Sequence, residues 1–89
     1  MKLVLIEWID SHSGRGWRPF DELEEHCEPL RCRSVGFVLK ETASAVMLVP
    51  HVYAEGQGIV RHGCGDLAIP KKAIVKTTIL KHKSQSVTK

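Results

Sequence analysis

Three arginines and a few aromatic rings are the residues of this chain best suited to chemistry. Arg31 and Arg33 alternate onto one face of an extended stretch, and Arg61 sits in a second stretch that can neighbour it. Paired guanidinium groups on a rigid strand suit bidentate capture of phosphate or carboxylate. Trp17, Trp8 and Tyr53 add flat surfaces on which a base can stack, as in single-strand and nucleotide binders. The arginines also have a purely structural use. Glu24, Glu25 and Glu28 lie a few residues upstream, so the positive charge can be met within the chain.

Other chemistry is less well served. Structural zinc wants four ligands, usually in two close pairs. Cys27 and Cys32 straddle Pro29, and Cys64 has no nearby cysteine, which leaves His62 with Cys64 as the best pair. Free cysteines are more often small buried hydrophobes, and the three are expected in the core rather than on a metal. Asp10, Ser11, His12 and Ser13 bring triad residue types into one loop, but triads are assembled from distant segments. Gly63, Cys64, Gly65 and Asp66 read as a turn whose glycines allow positive backbone torsions. The glycines at 14, 16, 56 and 58 lack the strand–loop–helix setting and the lysine of a phosphate loop. No catalytic residue, metal or cofactor is assigned, and the chain reads as a non-enzyme.

The elements that position these groups belong to one small domain. The chain has 89 residues, 43% hydrophobic and 26% charged, a globular composition. No apolar run is long enough to span a bilayer, and the short one at residues 3–6 ends at Glu7 without a cleavage signal. With an odd cysteine count no disulfide framework is expected, so the location read from sequence is cytoplasmic. The net charge of +3 resides in Lys81, Lys83 and Lys89. The remaining residues balance, but unevenly. Residues 21–28 carry five acids and no base, whereas residues 29–80 carry seven bases against Glu41, Glu55 and Asp66. A sequence-independent nucleic-acid binder wants a basic stripe on its folded body, and the excess here is small.

Residues 2–9 are apolar on both alternating faces, the pattern of a strand covered on two sides. A loop follows at residues 10–16. Pro19, the Asp21/Glu24 capping spacing and the stripe Phe20, Leu23, Cys27 and Leu30 predict a helix of two to three turns that ends at Pro29. Strands are expected at 31–40, 44–53, 59–62 and 74–80, with turns at 41–43, 55–58 and 63–66. Residues 68–73 read as a one-turn connector, because Pro70 has no amide hydrogen for a ladder. The expected fold is mainly β (α+β): a small SH3-like antiparallel barrel of about five strands, with one short helix after the first strand plugging an end. Closure would remove the exposed edges of an open sheet. Residues 1–80 form this domain, and residues 81–89 form a disordered basic tail.

Two resemblances carry this further. Residues 69–75, Ile-Pro-Lys-Lys-Ala-Ile-Val, look like the short helical turn before the last strand of SH3-like barrels. Residues 7–13, 27–36 and 69–70 together resemble small bacteriophage- and prophage-encoded proteins of unknown function. That likeness implies an accessory protein in a bacterial host cytoplasm and carries over no catalytic residue. The expected function is a protein-interaction or self-assembly module. The alternative is an anionic-ligand binder, sequestering a nucleotide or weakly binding nucleic acid through Arg31, Arg33 and Arg61. Homo-oligomers are expected because Val46, Leu48 and Val52 alternate with Ala45, Met47 and Val49, so both faces of that strand are apolar. No membrane partner is expected.

The segment after Leu80 has no apolar period and cannot repay the entropy of ordering. Truncation there should leave the melting temperature unchanged in a calorimetric scan; a large drop would mean that the tail docks on the body.

Overall fold

The computed structural model describes residues 1–55 and 60–81. In chain order its elements are β1 (Leu3–Asp10), a short helix α1 (Phe20–Glu24), β2 (Leu30–Glu41), β3 (Ala45–Val49), β4 (His51–Glu55), β5 (Val60–Cys64), β6 (Leu67–Pro70), a 3₁₀ turn (Lys71–Ala73) and β7 (Ile74–Ile79). Five strands form one antiparallel sheet in the order β6-β3-β2-β1-β7, and β4 and β5 pair separately. No helix among the described residues is long and apolar enough to cross a membrane.

The outermost strands of the large sheet, β6 and β7, are consecutive in the chain. Four strand spacings put the edges of a flat five-stranded sheet about 19 Å apart. The four steps from Pro70 to Ile74 reach at most about 14 Å. The sheet must therefore curl. Two bulges assist, since an extra residue bends a strand and raises its twist. One displaces Leu39 from the β2–β3 ladder, and the other displaces Val75 from the β1–β7 ladder. Both side chains point into solvent.

The curled face holds the core. Val4 and Ile6 of β1 meet Val46 and Leu48 of β3 and Ile69 of β6, with Trp8, Val38 and Ile74 packed around them. Trp8 donates its indole N–H to Ser34 Oγ at 3.0 Å, so its polar atom stays satisfied inside an apolar face.

Curling does not close the expected barrel. β6 and β7 join end to end through the 3₁₀ turn and are not hydrogen-bonded side by side. The helix does not plug an end either. α1 spans one turn, buries no residue and has no side-chain cap; Pro19 occupies the capping position and Asp21 lies inside the first turn. Leu30 begins β2 rather than extending a helical stripe. The strand count rises from five to seven for two reasons. Pro50 breaks the long strand expected at 44–53, and Leu67–Pro70 pairs with β3 although it was expected as connector. Pro70 is tolerated because it ends an edge strand, where a missing amide costs no ladder bond. Most of the turn expected at 55–58, and the tail from residue 82, lie outside the described residues.

β4 and β5 continue the β3–β6 hairpin. Ala45 faces Pro70, Leu48 faces Leu67, His51 faces Cys64 and Val52 faces Gly63, all in one register across a gap at Val49–Pro50 and Gly65–Asp66. The hairpin is thus a long ribbon whose root belongs to the body and whose outer part is a separate arm. Glycines fit the joint. A Cβ on Gly63 would come within 2.7 Å of Val49 Cγ1, and one on Gly36 within 3.2 Å of the Val49 carbonyl oxygen. This close approach buries Val49, whose neighbours Ala45 and Met47 are only half-buried and whose arm counterpart Val52 is exposed.

Gly65 has φ +79°, and a Cβ there would sit 3.0 Å from Pro50 Cγ. Gly65→Ala should cost about 1–2 kcal/mol, the penalty of the left-handed region for a residue with a Cβ. Gly14→Ala, which meets nothing within 4 Å, should leave stability nearly unaltered. Urea unfolding of the two variants compares them directly; equal midpoints would mean that the joint is not strained.

Candidate functional site

The three arginines do not share a site. Arg31 and Arg33 lie on β2, beside Ile9 and Glu7 of β1. Arg61 lies on β5, in the arm, where it borders a notch with Met1, Leu39 and Val52. The expectation that Arg61 would run beside the other two fails because β5 pairs with β4 and continues the ribbon instead of entering the large sheet. The stacking residues are also dispersed. Trp17 stands fully exposed in the segment between β1 and β2, Tyr53 is on the arm facing His62 with ring centroids 6.1 Å apart, and Trp8 is packed against the core.

Arg33 takes neither expected role cleanly. Its Nε lies 3.7 Å from Glu7 Oε1 rather than beside the acids of residues 24–28. Register puts Lys76 of β7 on the other side of Glu7, so the carboxylate sits between two cations. An ion pair this exposed contributes about 0–1 kcal/mol. Its effect on ligand choice is larger. Arg31, Arg33, Glu7 and Val75 line one shallow depression, and a phosphate entering it meets a carboxylate already at ion-pair distance from the arginine it needs.

The cysteines are not the buried hydrophobes expected. Cys27 and Cys64 are exposed and Cys32 is half-buried, all as free thiols. Cys27 fails to reach a core because α1 ends before it, and Cys64 because the arm has only one packed layer. His51, Tyr53, His62 and Cys64 share one face of the arm by register. Among the described residues no three metal-ligating side chains come together.

The feature missed from sequence is a trough of about 440 Å³ inside the curl. Val4, Ile6, Val38, Val46, Ile74 and Ile79 form its apolar floor and walls, and Lys2, Glu41 and Lys71 stand among its lining residues. Its polar members are tied to the joint between the sheet edges. Lys71 Nζ is 2.7 Å from Glu41 Oε2, and the Lys71 backbone N–H donates to the Ser44 carbonyl at 2.8 Å. Thr42 Oγ1 accepts from the Ser44 and Ala45 amides and shapes the β2–β3 turn that presents Glu41. Lys2 makes no ion pair among the described residues, though its charge reaches Glu41.

The hydrogen bond and charge of Lys71, with a smaller contribution from Lys2, hold the Glu41 carboxyl below the usual glutamate range against a small opposing desolvation. A depressed carboxyl stabilises the fold above its unfolded titration range and loses that effect as pH falls through the folded value. Glu41→Gln should therefore flatten the acid limb of the stability–pH curve and leave its alkaline side unchanged in slope. Acid unfolding followed by circular dichroism checks this, and an unaltered acid limb would remove Glu41 from the joint.

No protein-family model, curated protein or solved structure matches this chain.

Proposed function

We propose that this chain is a non-enzymatic interaction module that works by self-association, an accessory protein of the bacteriophage type. The observation that carries the reading is the state of residues 11–29. Every residue of this segment is exposed, including Trp17 at 103% and Phe20 at 82%. Large aromatic side chains left bare on a protruding segment are the usual anchors of protein interfaces. Val52 is exposed on the arm as well. The buried core is correspondingly small, at six hydrophobic residues among the described ones. The 3₁₀ turn leading into the last strand supports an SH3-like ending on an open sheet.

The second reading is capture of an anion by Arg31 and Arg33. It draws on Arg31, which has no ion-pair partner among the described residues, and it is opposed by Glu7 in the same depression. Interaction is the better supported of the two.

Sedimentation velocity should show at least a dimer at micromolar concentration. Trp17→Ala with Phe20→Ala should shift the species toward 10.0 kDa. A single 10.0 kDa species at high protein concentration, together with an absorbance ratio that reports bound nucleotide, would move the conclusion to the anion-binding reading.

A further inference from the structure

We infer that the α1 segment of one copy docks in the trough of a second copy. The inference rests on the self-association reading and names its surfaces. Three observations meet in it.

The first is apolar complementarity. Phe20 and Leu23 project from α1 without cover, at 82% and 46% exposure. The trough is a concave surface lined mainly by aliphatic side chains. A short helix presenting residues three apart is a common occupant of such a groove.

The second is charge. Asp21 and Glu22 occupy the first turn of α1, and Glu24, Glu25 and Glu28 follow with no base among them. None forms an ion pair within the described residues; the two ion pairs present use Glu7 and Glu41. The trough carries Lys2 and Lys71 against Glu41; Glu41 pairs with Lys71, so among the described residues Lys2 is its unpaired charge. The Val38 amide donates to the Lys2 carbonyl and the Leu80 amide to the Leu3 carbonyl, so Lys81 belongs to the same end of the sheet. Complementary potentials of this kind steer association and set its orientation.

The third is placement. Lys2 precedes the first residue of β1, and the segment 11–29 that carries α1 leaves from its last, with the eight residues of β1 between them. The strand holds these ends about 26 Å apart. α1 buries no residue, so the acidic aromatic hook does not fill the trough of its own chain. A second copy brings them together directly, in a reciprocal pair or head to tail.

Charge exchange tests the contact. A trough variant, Lys2→Glu with Lys71→Glu, has acids at both ends. A hook variant, Asp21→Lys with Glu22→Lys, Glu24→Lys and Glu25→Lys, leaves Glu28 as the lone acid of residues 21–28 and so has mainly bases at both. Each alone should self-associate at least about tenfold more weakly than wild type, since facing like charges cost several kcal/mol. An equimolar mixture should regain association, because each hook then meets a trough of opposite sign. Circular dichroism checks the fold of both, and Phe20→Ser, at a site that buries nothing, gives an independent loss of association without risk to folding. If wild type assembles while the charge variants, their mixture and Phe20→Ser all assemble equally well, the docking is overturned and self-association stands. Wild type that stays monomeric at every concentration overturns both.

Discussion

The shortness of the link between β6 and β7 governs this structure. Three residues, Lys71–Ala73, join the two opposite edges of a five-stranded sheet. No flat or gently twisted sheet permits that connection, because the edges would lie farther apart than the chain can reach. The curl, the bulges at Leu39 and Val75, and the enclosure of Val4, Ile6, Leu48 and Ile69 follow from it. The ion pair of Lys71 with Glu41 and the Lys71 amide bond to Ser44 fasten the link to the β2–β3 turn. The same link explains why curling stops short of closure. It joins the strands end to end, so the ladder that would seal a barrel is missing and the apolar interior stays open along the trough.

That opening relates the fold to its use. A sheet of this size buries one face against something, and among the described residues six hydrophobic side chains are buried. The residues expected to cover it, on α1, are displaced to the far end of β1, where they stand exposed. The ribbon adds a second projection. Its register runs unbroken from the body through Pro50 and Gly65 into the β4–β5 arm, so the arm is an outgrowth of the hairpin and not a separate domain. Under the proposed self-association, the two exposed projections and the open apolar face are the surfaces that a second chain would cover.

Much of the strand content was legible in the sequence, because alternating apolar residues in β1, β2 and β3 are local signals. The 3₁₀ turn was legible in part, as the second half of the one-turn connector expected at 68–73, whose first half is strand. Three things were not. Val49 is buried only because Gly36 and Gly63 let other strands approach it, a packing fact that no pattern within residues 44–53 contains. The stripe Phe20, Leu23, Cys27 and Leu30 has helical spacing, yet periodicity does not tell where a helix ends, and here Leu30 belongs to a strand. Barrel closure depends on whether two edges pair, which is decided by the direction in which the link leaves β6. Of the candidate site, the alternation of Arg31 and Arg33 was correctly placed on one strand, but their neighbours Glu7 and Lys76 come from β1 and β7 and emerge only with the register. The trough unites residues from four strands and the turn, so no local motif announces it.

Hydrogen exchange at two protein concentrations tests most directly whether the open face and the bare hook are halves of one contact. The amides of β1 and β2 lie inside the sheet and should be protected at both concentrations. Those of residues 20–24 and of the Lys71–Ala73 link should gain protection together as concentration rises, because one copy's helix covers the other's trough. Exchange in residues 20–24 that stays fast and independent of concentration, while the protein assembles, would contradict this account.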